Sequence, residues 1–314
     1  MCRLPFEGWM SMKSRPYLIY DVFTDEPLSG NPLAIVLDGE GLDDRQMQRI
    51  AGEFNLSETV FLSPPNNPLH TRRVRIFTPH HELPFAGHPT VGTAVALAES
   101  TSGEDGHSAL IVLEEAIGPV RCAVSSKEGR SFGEFDLPQL PFRVGLDLMP
   151  ETVAAAIGLS PHEIGFENHT IGVWSAGVPF VFIPVANLGA AAKIKLDPYL
   201  WEDLVPEVGG RRPNAYIYCR EAVHHQSSFH ARMFAPDLGI AEDPATGSAA
   251  AAFAGAIVDN DMPLDGIHRY WIEQGIEMGR PSRIRLEIEV EGGQIRSARI
   301  GGEAVKVAEG RVFV

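Results

Sequence analysis

A chain of 314 residues with 44% hydrophobic and 21% charged side chains can bury one large core or two medium ones. Its 41 acidic against 26 basic residues give a formal charge of -15, which excludes binding to nucleic acid or an anionic membrane unless a basic patch offsets it. The only dense basic groups are Arg72, Arg73 and Arg75 and the pair Arg211 and Arg212, and the dispersed Cys2, Cys122 and Cys219 fit a reducing cytoplasm rather than a disulfide framework or zinc site.

In chain order, residues 1–16 lack the apolar run of a signal peptide and read as a disordered leader, with Met10 and Met12 as alternative starts. Short apolar or alternating runs at 17–23, 33–37, 59–62 and 74–78, bounded by Pro, Gly and Asp, predict strands. Between the second and third of these, Leu42, Met47, Ile50, Ala51 and Phe54 fall at helical spacing, and Asp43 with Gln46 predicts a capping box. Residues 90–98 predict a short helix with no polar face, and 110–113, 120–124 and 132–137 predict further strands. Pro138 and Pro141 then mark a boundary. Strands at 180–183 and 216–219 and a second apolar helix at 249–258 follow. The tail from 283 alternates like strands, with Gly292 and Gly293 as a hairpin turn. No apolar run reaches the roughly 18 residues needed to cross a bilayer.

Three matches recur in the same order in both halves. Gly30-Asn31-Pro32 corresponds to Gly177-Val178-Pro179, RIFTP at 75–79 to RMFAP at 232–236, and HPTVGTA at 88–94 to DPATGSA at 243–249. They predict a tandem duplication, with lobes at 17–137 and 138–304 and with 305–314 able to return to the first lobe. A helix without a polar stripe must be surrounded by protein, so each lobe is expected to wrap a curved sheet around a central helix. An ordinary layered fold with two alanine-rich core helices is the alternative.

A buried helix still has unpaired N–H groups at its start. Pro89 and Pro244 precede the two predicted starts, Thr93 and Ser248 place hydroxyls in the first turns, and His88 and Asp243 take equivalent positions. Two such termini facing each other would cradle a small carboxylate, unless the polar residues are only helix caps. Glu58 stands where the first helix joins a strand, as a solvated carboxylate or as a functional one. The corresponding place in the second half carries Pro213 and Asn214 instead of an acid.

Taken together, DVFTDEPLSGNPLAIV (21–36), NLSETVF (55–61), RIFTPHHELPFAGHPTVGTA (75–94), EDPATGSA (242–249) and MGRPS (278–282) strongly resemble the PhzF-like phenazine-biosynthesis protein family. The resemblance runs from about residue 17 to the C-terminus. It implies an α+β, diaminopimelate-epimerase-like fold of two pseudo-symmetric lobes, each a β-barrel around a central buried helix, with the active site in the cleft. It also implies a homodimer. Glu58 would be the catalytic glutamate, joined by His88 and Asp243. Ser248, Thr246 and the backbone at Gly87 and Gly247 would bind the substrate.

The family reaction resembles a proton shift on a dihydro-hydroxyanthranilate ring, without metal or organic cofactor. A Glu58 enclosed by apolar strands is expected to have a raised pKa suited to that work. Epimerases and racemases of similar fold place a cysteine at each helix terminus; here those places fall around Ala86 and Thr246, so two-thiol chemistry is not expected. The expectation is a cytoplasmic, cofactor-independent isomerase acting on a small carboxylate-bearing substrate, a cyclic amino acid among the candidates. An amino-acid racemase or epimerase and a non-catalytic carboxylate-binding protein remain the alternatives. His80-His81 and His224-His225 are rejected as metal sites, since neighbours in an extended segment point to opposite faces. The run 278–282 receives no chemical role.

Overall fold

The computed structural model describes residues 13–101 and 108–314. The first strand, Ser14–Val22, begins inside the segment read as leader, because Ser14, Arg15 and Pro16 pair with Phe313, Val312 and Arg311. The rest of that leader, 1–12, lies outside the described residues.

One pairing scheme runs through the chain twice. In the first half, Asn31–Val36 lies antiparallel to Ser14–Val22 and parallel to Glu58–Ser63. Glu58–Ser63 is antiparallel to Arg72–Phe77, which also takes Glu82–Leu83 antiparallel and Ser108–Glu115 parallel. In the second half, Pro179–Pro184 lies antiparallel to Gly172–Ser175 and parallel to Asn214–Cys219. Asn214–Cys219 is antiparallel to Phe229–Ala235, which takes Ile240–Asp243 antiparallel and Gly266–Gln274 parallel.

Each parallel pair needs a crossover, and helices supply them. Asp44–Phe54 crosses outside the sheet in the first half; Leu188–Lys193 and Pro198–Leu204 do so in the second. The other two crossovers are the central helices Gly87–Thr101 and Gly247–Asp261, both longer at each end than their apolar cores predicted.

The outer helix Asp44–Phe54 has the expected capping box: Asp43 Oδ1 accepts from the Gln46 N–H at 2.7 Å, and Gln46 Oε1 accepts from the Asp43 N–H at 3.0 Å. It ends on Asn55 in the left-handed region (φ 51°). Pro150–Ile157, Leu188–Lys193 and Pro198–Leu204 were not foreseen, because six to eight residues are too few to display a helical period.

The central helices are buried almost throughout and share one continuous core with the inner faces of the strands. Phe253 lies at the middle of an aromatic cluster, stacked on Phe182 at 5.4 Å and edge-on to Tyr218 at 4.6 Å. Two smaller cores lie outside the sheet, one under Asp44–Phe54 and one around Trp201. The final strand, Gln294–Phe313, stitches the scheme together: it pairs first with Ser282–Glu291, then with Arg130–Asp136, and finally with Ser14–Val22. Among the described residues no helix is long and apolar enough to cross a membrane.

Candidate active site

Strand register corrects the alignment of the two halves at the site. Ile76 pairs with both Val60 and Leu83, while Met233 pairs with both Tyr216 and Asp243, so Leu83 is the counterpart of Asp243. The helices then start in step at Gly87 and Gly247, which makes His88 the counterpart of Ser248. The predicted equivalence of His88 and Asp243 therefore fails: ELPFAGH at 82–88 aligns with EDPATGS at 242–248 without a gap. Pro89 lies within the first turn rather than before it, and Thr93 falls in the second turn, buried.

The two helix starts touch. A Cβ on Gly87 would lie 2.9 Å from the Gly247 Cα, and one on Gly247 would lie 3.0 Å from the Gly87 Cα. Neither start is capped by its own side chain: Ala86 has no polar atom to offer, and the Thr246 hydroxyl turns to Asp243 Oδ2 at 2.5 Å. Two positive helix ends in contact, with uncapped N–H groups, favour an anion between them. Ser248 stands at this junction, part exposed, and lines the adjoining cavity.

Glu58 opens its strand after the left-handed turn at Asn55, opposite Leu33 in the parallel register. Its carboxyl group lines the cavity, and burial pushes its pKa well above the usual carboxylate range, with the Asp243 charge adding to the effect. His88 Nδ1 lies 3.2 Å from Glu58 Oε2, short of an aligned hydrogen bond. Burial lowers the His88 pKa to about 3, against the opposing pull of the Pro32 carbonyl. A carboxyl group that resists ionisation therefore faces an imidazole that resists protonation, a close polar contact rather than a salt bridge. His88 is buried and does not line the cavity, but it contacts Glu58, which does.

Asp243 is held from both halves. Its Oδ1 accepts from Asn31 Nδ2 at 3.0 Å and Ser57 Oγ at 3.2 Å, both from the first half of the chain. Burial raises its pKa to about 6, while hydrogen bonds from Thr246, Ser57 and Asn31 oppose that rise. Gln274 braces the turn behind it, donating to the Asp243 carbonyl at 2.8 Å and to Thr246 Oγ1 at 2.9 Å. Asn31, Ser57 and Gln274 were missed. Asn31 was read only as part of a turn, and its partner lies 212 positions away.

Glu58, Asp243, Thr246 and Ser248 thus meet on one cavity of 330 Å³, walled by Leu83, Phe85, Val178, Phe180, Met233 and Ile240. Gly87 and Gly247 supply the close helix contact rather than cavity wall. Asn214, the counterpart of Glu58, also lines the cavity, so the two halves present one acid and one amide to it.

The run 278–282 acquires a role. Arg280 Nη2 bonds Asp21 Oδ1 at 2.6 Å and the Ser29 carbonyl at 2.5 Å, and its Nε bonds the Gly30 carbonyl at 2.8 Å. It thereby fixes the turn that presents Asn31 to Asp243. His224 and His225 stack at 4.9 Å in a turn instead of pointing apart as expected. Among the described residues, the cluster with metal-ligand spacing is Glu167, His169 and Asp261, where the Arg220 guanidinium already bonds both carboxylates at 3.0 and 2.7 Å.

Comparison with known proteins places these features. Residues 20–310 match the family described as phenazine biosynthesis-like protein. The chain is 62% identical over 304 residues to an uncharacterized isomerase of Mesorhizobium japonicum, covering 96% of this chain and 100% of that protein. It is 32% identical over 298 residues to the trans-2,3-dihydro-3-hydroxyanthranilate isomerase of Pseudomonas aeruginosa, covering 95% and 99%. The solved structure of a PhzF-family phenazine biosynthesis protein from Bacillus anthracis superposes with a TM-score of 0.86 at 28% identity, covering 96% of this chain and 100% of the other.

Proposed function

The chain belongs to the phenazine biosynthesis-like protein family and is an isomerase with the epimerase-like fold, and on that premise we propose that it shifts a proton on a small carboxylate-bearing substrate by general acid–base catalysis, without metal or organic cofactor. The carrying observation is Glu58: a buried carboxyl on the cavity wall, raised in pKa, with Oε2 free of any aligned protein hydrogen bond.

In this reading the substrate carboxylate docks against the N–H groups of the two helix starts and the Ser248 hydroxyl. Asp243 holds an amine or hydroxyl. Ionised Glu58 takes a proton from carbon, and the electron pair left behind delocalises towards the group bound at the helix starts. The same Glu58, its proton exchanged with solvent, returns a proton to a different carbon on the same face, so the enzyme ends as it began. Thr246 keeps Asp243 in place, and neutral His88 packs against Glu58 Oε2 and helps position it.

Inversion by two opposed bases fits less well. Asp243 is occupied by three donors, and His88 sits against Glu58 rather than across the cavity. The 32% identical isomerase points to a cyclic amino acid as the first substrate to try. The reading includes two lobes at 17–137 and 138–304 enclosing the cleft, with 305–314 returned to the first lobe. It also includes a cytoplasmic homodimer, for which light scattering should give twice the chain mass.

The test separates catalysis from binding. Glu58→Gln is expected to bind trans-2,3-dihydro-3-hydroxyanthranilate or a related cyclic amino acid within about threefold of wild type while losing at least about 100-fold in turnover. Equal turnover by both proteins would take Glu58 out of the chemistry, and binding by both without any turnover would make this a carboxylate-binding protein; either result sinks the proposal.

A further inference from the structure

The cavity has a second charged end that the proposed chemistry does not use. Its exposed rim is formed by the 206–212 segment, where Gly209 and Gly210 (φ 61° and 78°) make a tight turn closed by Val208 and Arg211. The Val208 N–H bonds the Arg211 carbonyl at 2.8 Å, and the Arg211 N–H bonds the Val208 carbonyl at 3.2 Å.

The two arginines ending this turn have different fates. Arg212 is consumed by the fold: Nε bonds Asp237 at 2.8 Å, and Nη1 bonds the carbonyls of Glu202, at 2.9 Å, and Val205. Arg211 is exposed and lines the cavity, and its guanidinium makes no hydrogen bond or ion pair with another described residue. The turn is therefore anchored by one guanidinium while it presents the other. Arg211 is close enough to His81, on the same rim, to add to the lowering of the His81 pKa that burial begins. Both effects disfavour charge on His81, and Arg211 is a cation of this rim that no described side chain pairs with. Glu207 also lines the rim without an ion-pair partner among the described residues, so an anion is welcome on the Arg211 side and repelled beside Glu207.

We propose that Arg211 determines specificity by receiving a second carboxylate of the substrate, so that the preferred ligands are dicarboxylates with an apolar body. This rests on the reading that the helix starts take the first carboxylate. The apolar residues lining the same cavity suit a ring or short hydrocarbon, and a guanidinium fork matches a carboxylate with two parallel hydrogen bonds. A monocarboxylate leaves that fork bonded only to water.

Calorimetric titration of the full chain with isophthalate, terephthalate and 1,4-phenylenediacetate, each beside its own monomethyl ester, compares ligands of similar size that differ in one charge. At least one diacid should bind wild type about tenfold more tightly than its ester. Arg211→Ala should bind diacid and ester alike, and Arg211→Lys should restore part of the preference. Since the side chain is exposed, circular dichroism should show both variants folded. Equal binding of every diacid and its ester to wild type, or a preference that survives in Arg211→Ala, overturns the inference and leaves Glu58-dependent turnover standing. If no probe binds wild type, the carboxylate reading of the helix starts falls, and this inference with it.

Discussion

Glu58 and Asp243 are carboxyl groups that folding makes harder to ionise, and their pH behaviour follows from that. Below the ordinary Glu58 value of 4.5 the group is protonated whether the chain is folded or not, so burial exacts no penalty. As pH rises towards the elevated folded value, the unfolded chain ionises freely and the folded one does not, so stability is lost. Glu58→Gln removes that loss. Its melting temperature should exceed wild type at pH 8, by roughly 2–4 °C for each kcal/mol recovered, and the gap should close near pH 4 in differential scanning calorimetry.

On the proposed chemistry, Asp243 is expected to set the acid limb of activity. If its charge holds the substrate, kcat/KM should fall below pH of about 6. Asn31→Ala removes a donor to the ionised form and should move that limb up by about one unit. An unmoved limb would assign it to another group. Glu58, Asp243 and Ser248 were legible as residue types at suggestive positions. Asn31 and Ser57 were not, because their function is a contact made across the chain's two halves.

The pair of central helices shows what patterning can reveal at the level of elements. Helices with no polar face were readable as buried, and the contrast between apolar and alternating runs located most strands. The relative alignment of the two helix starts was not readable, because HPTVGTA and DPATGSA match by chance several residues out of register. Strand pairing resolves the ambiguity, and so does chemistry: Arg75 pairs with Glu82 just as Arg232 pairs with Glu242. Contact between the helix starts leaves no room for a methyl group. Gly247→Ala must displace backbone by some tenths of an ångström, at about 1–3 kcal/mol. Urea denaturation should show that loss, with at least a tenfold weaker affinity for carboxylate ligands as the anion cradle widens. Wild-type stability and affinity together would refute the tight junction.

Across the whole molecule, a few long-range ties bring residues from both halves to one cavity. Arg280 is the clearest, joining the 278–282 segment to Asp21 and the 29–30 turn. Arg280→Met would leave buried Asp21 without its cation and should cost about 3 kcal/mol by urea denaturation. It should also slow turnover more than it weakens binding, since Asn31 and hence Asp243 lose their alignment. A drop in stability with unchanged kcat would confine Arg280 to a structural role. The repeated pairing scheme could be read from two of the three motif matches, but this closure could not: no local pattern says which surface an arginine on a glycine-flanked turn will meet.

The central claim is that Glu58 moves a carbon-bound proton, and solvent deuterium tests it most directly. Wild-type protein incubated in deuterated water with trans-2,3-dihydro-3-hydroxyanthranilate and a panel of cyclic amino acids should yield an isomer, or recovered substrate, labelled at a single carbon in the proton NMR spectrum. Glu58→Gln should leave every carbon unlabelled. Equal labelling by the two proteins would contradict the account.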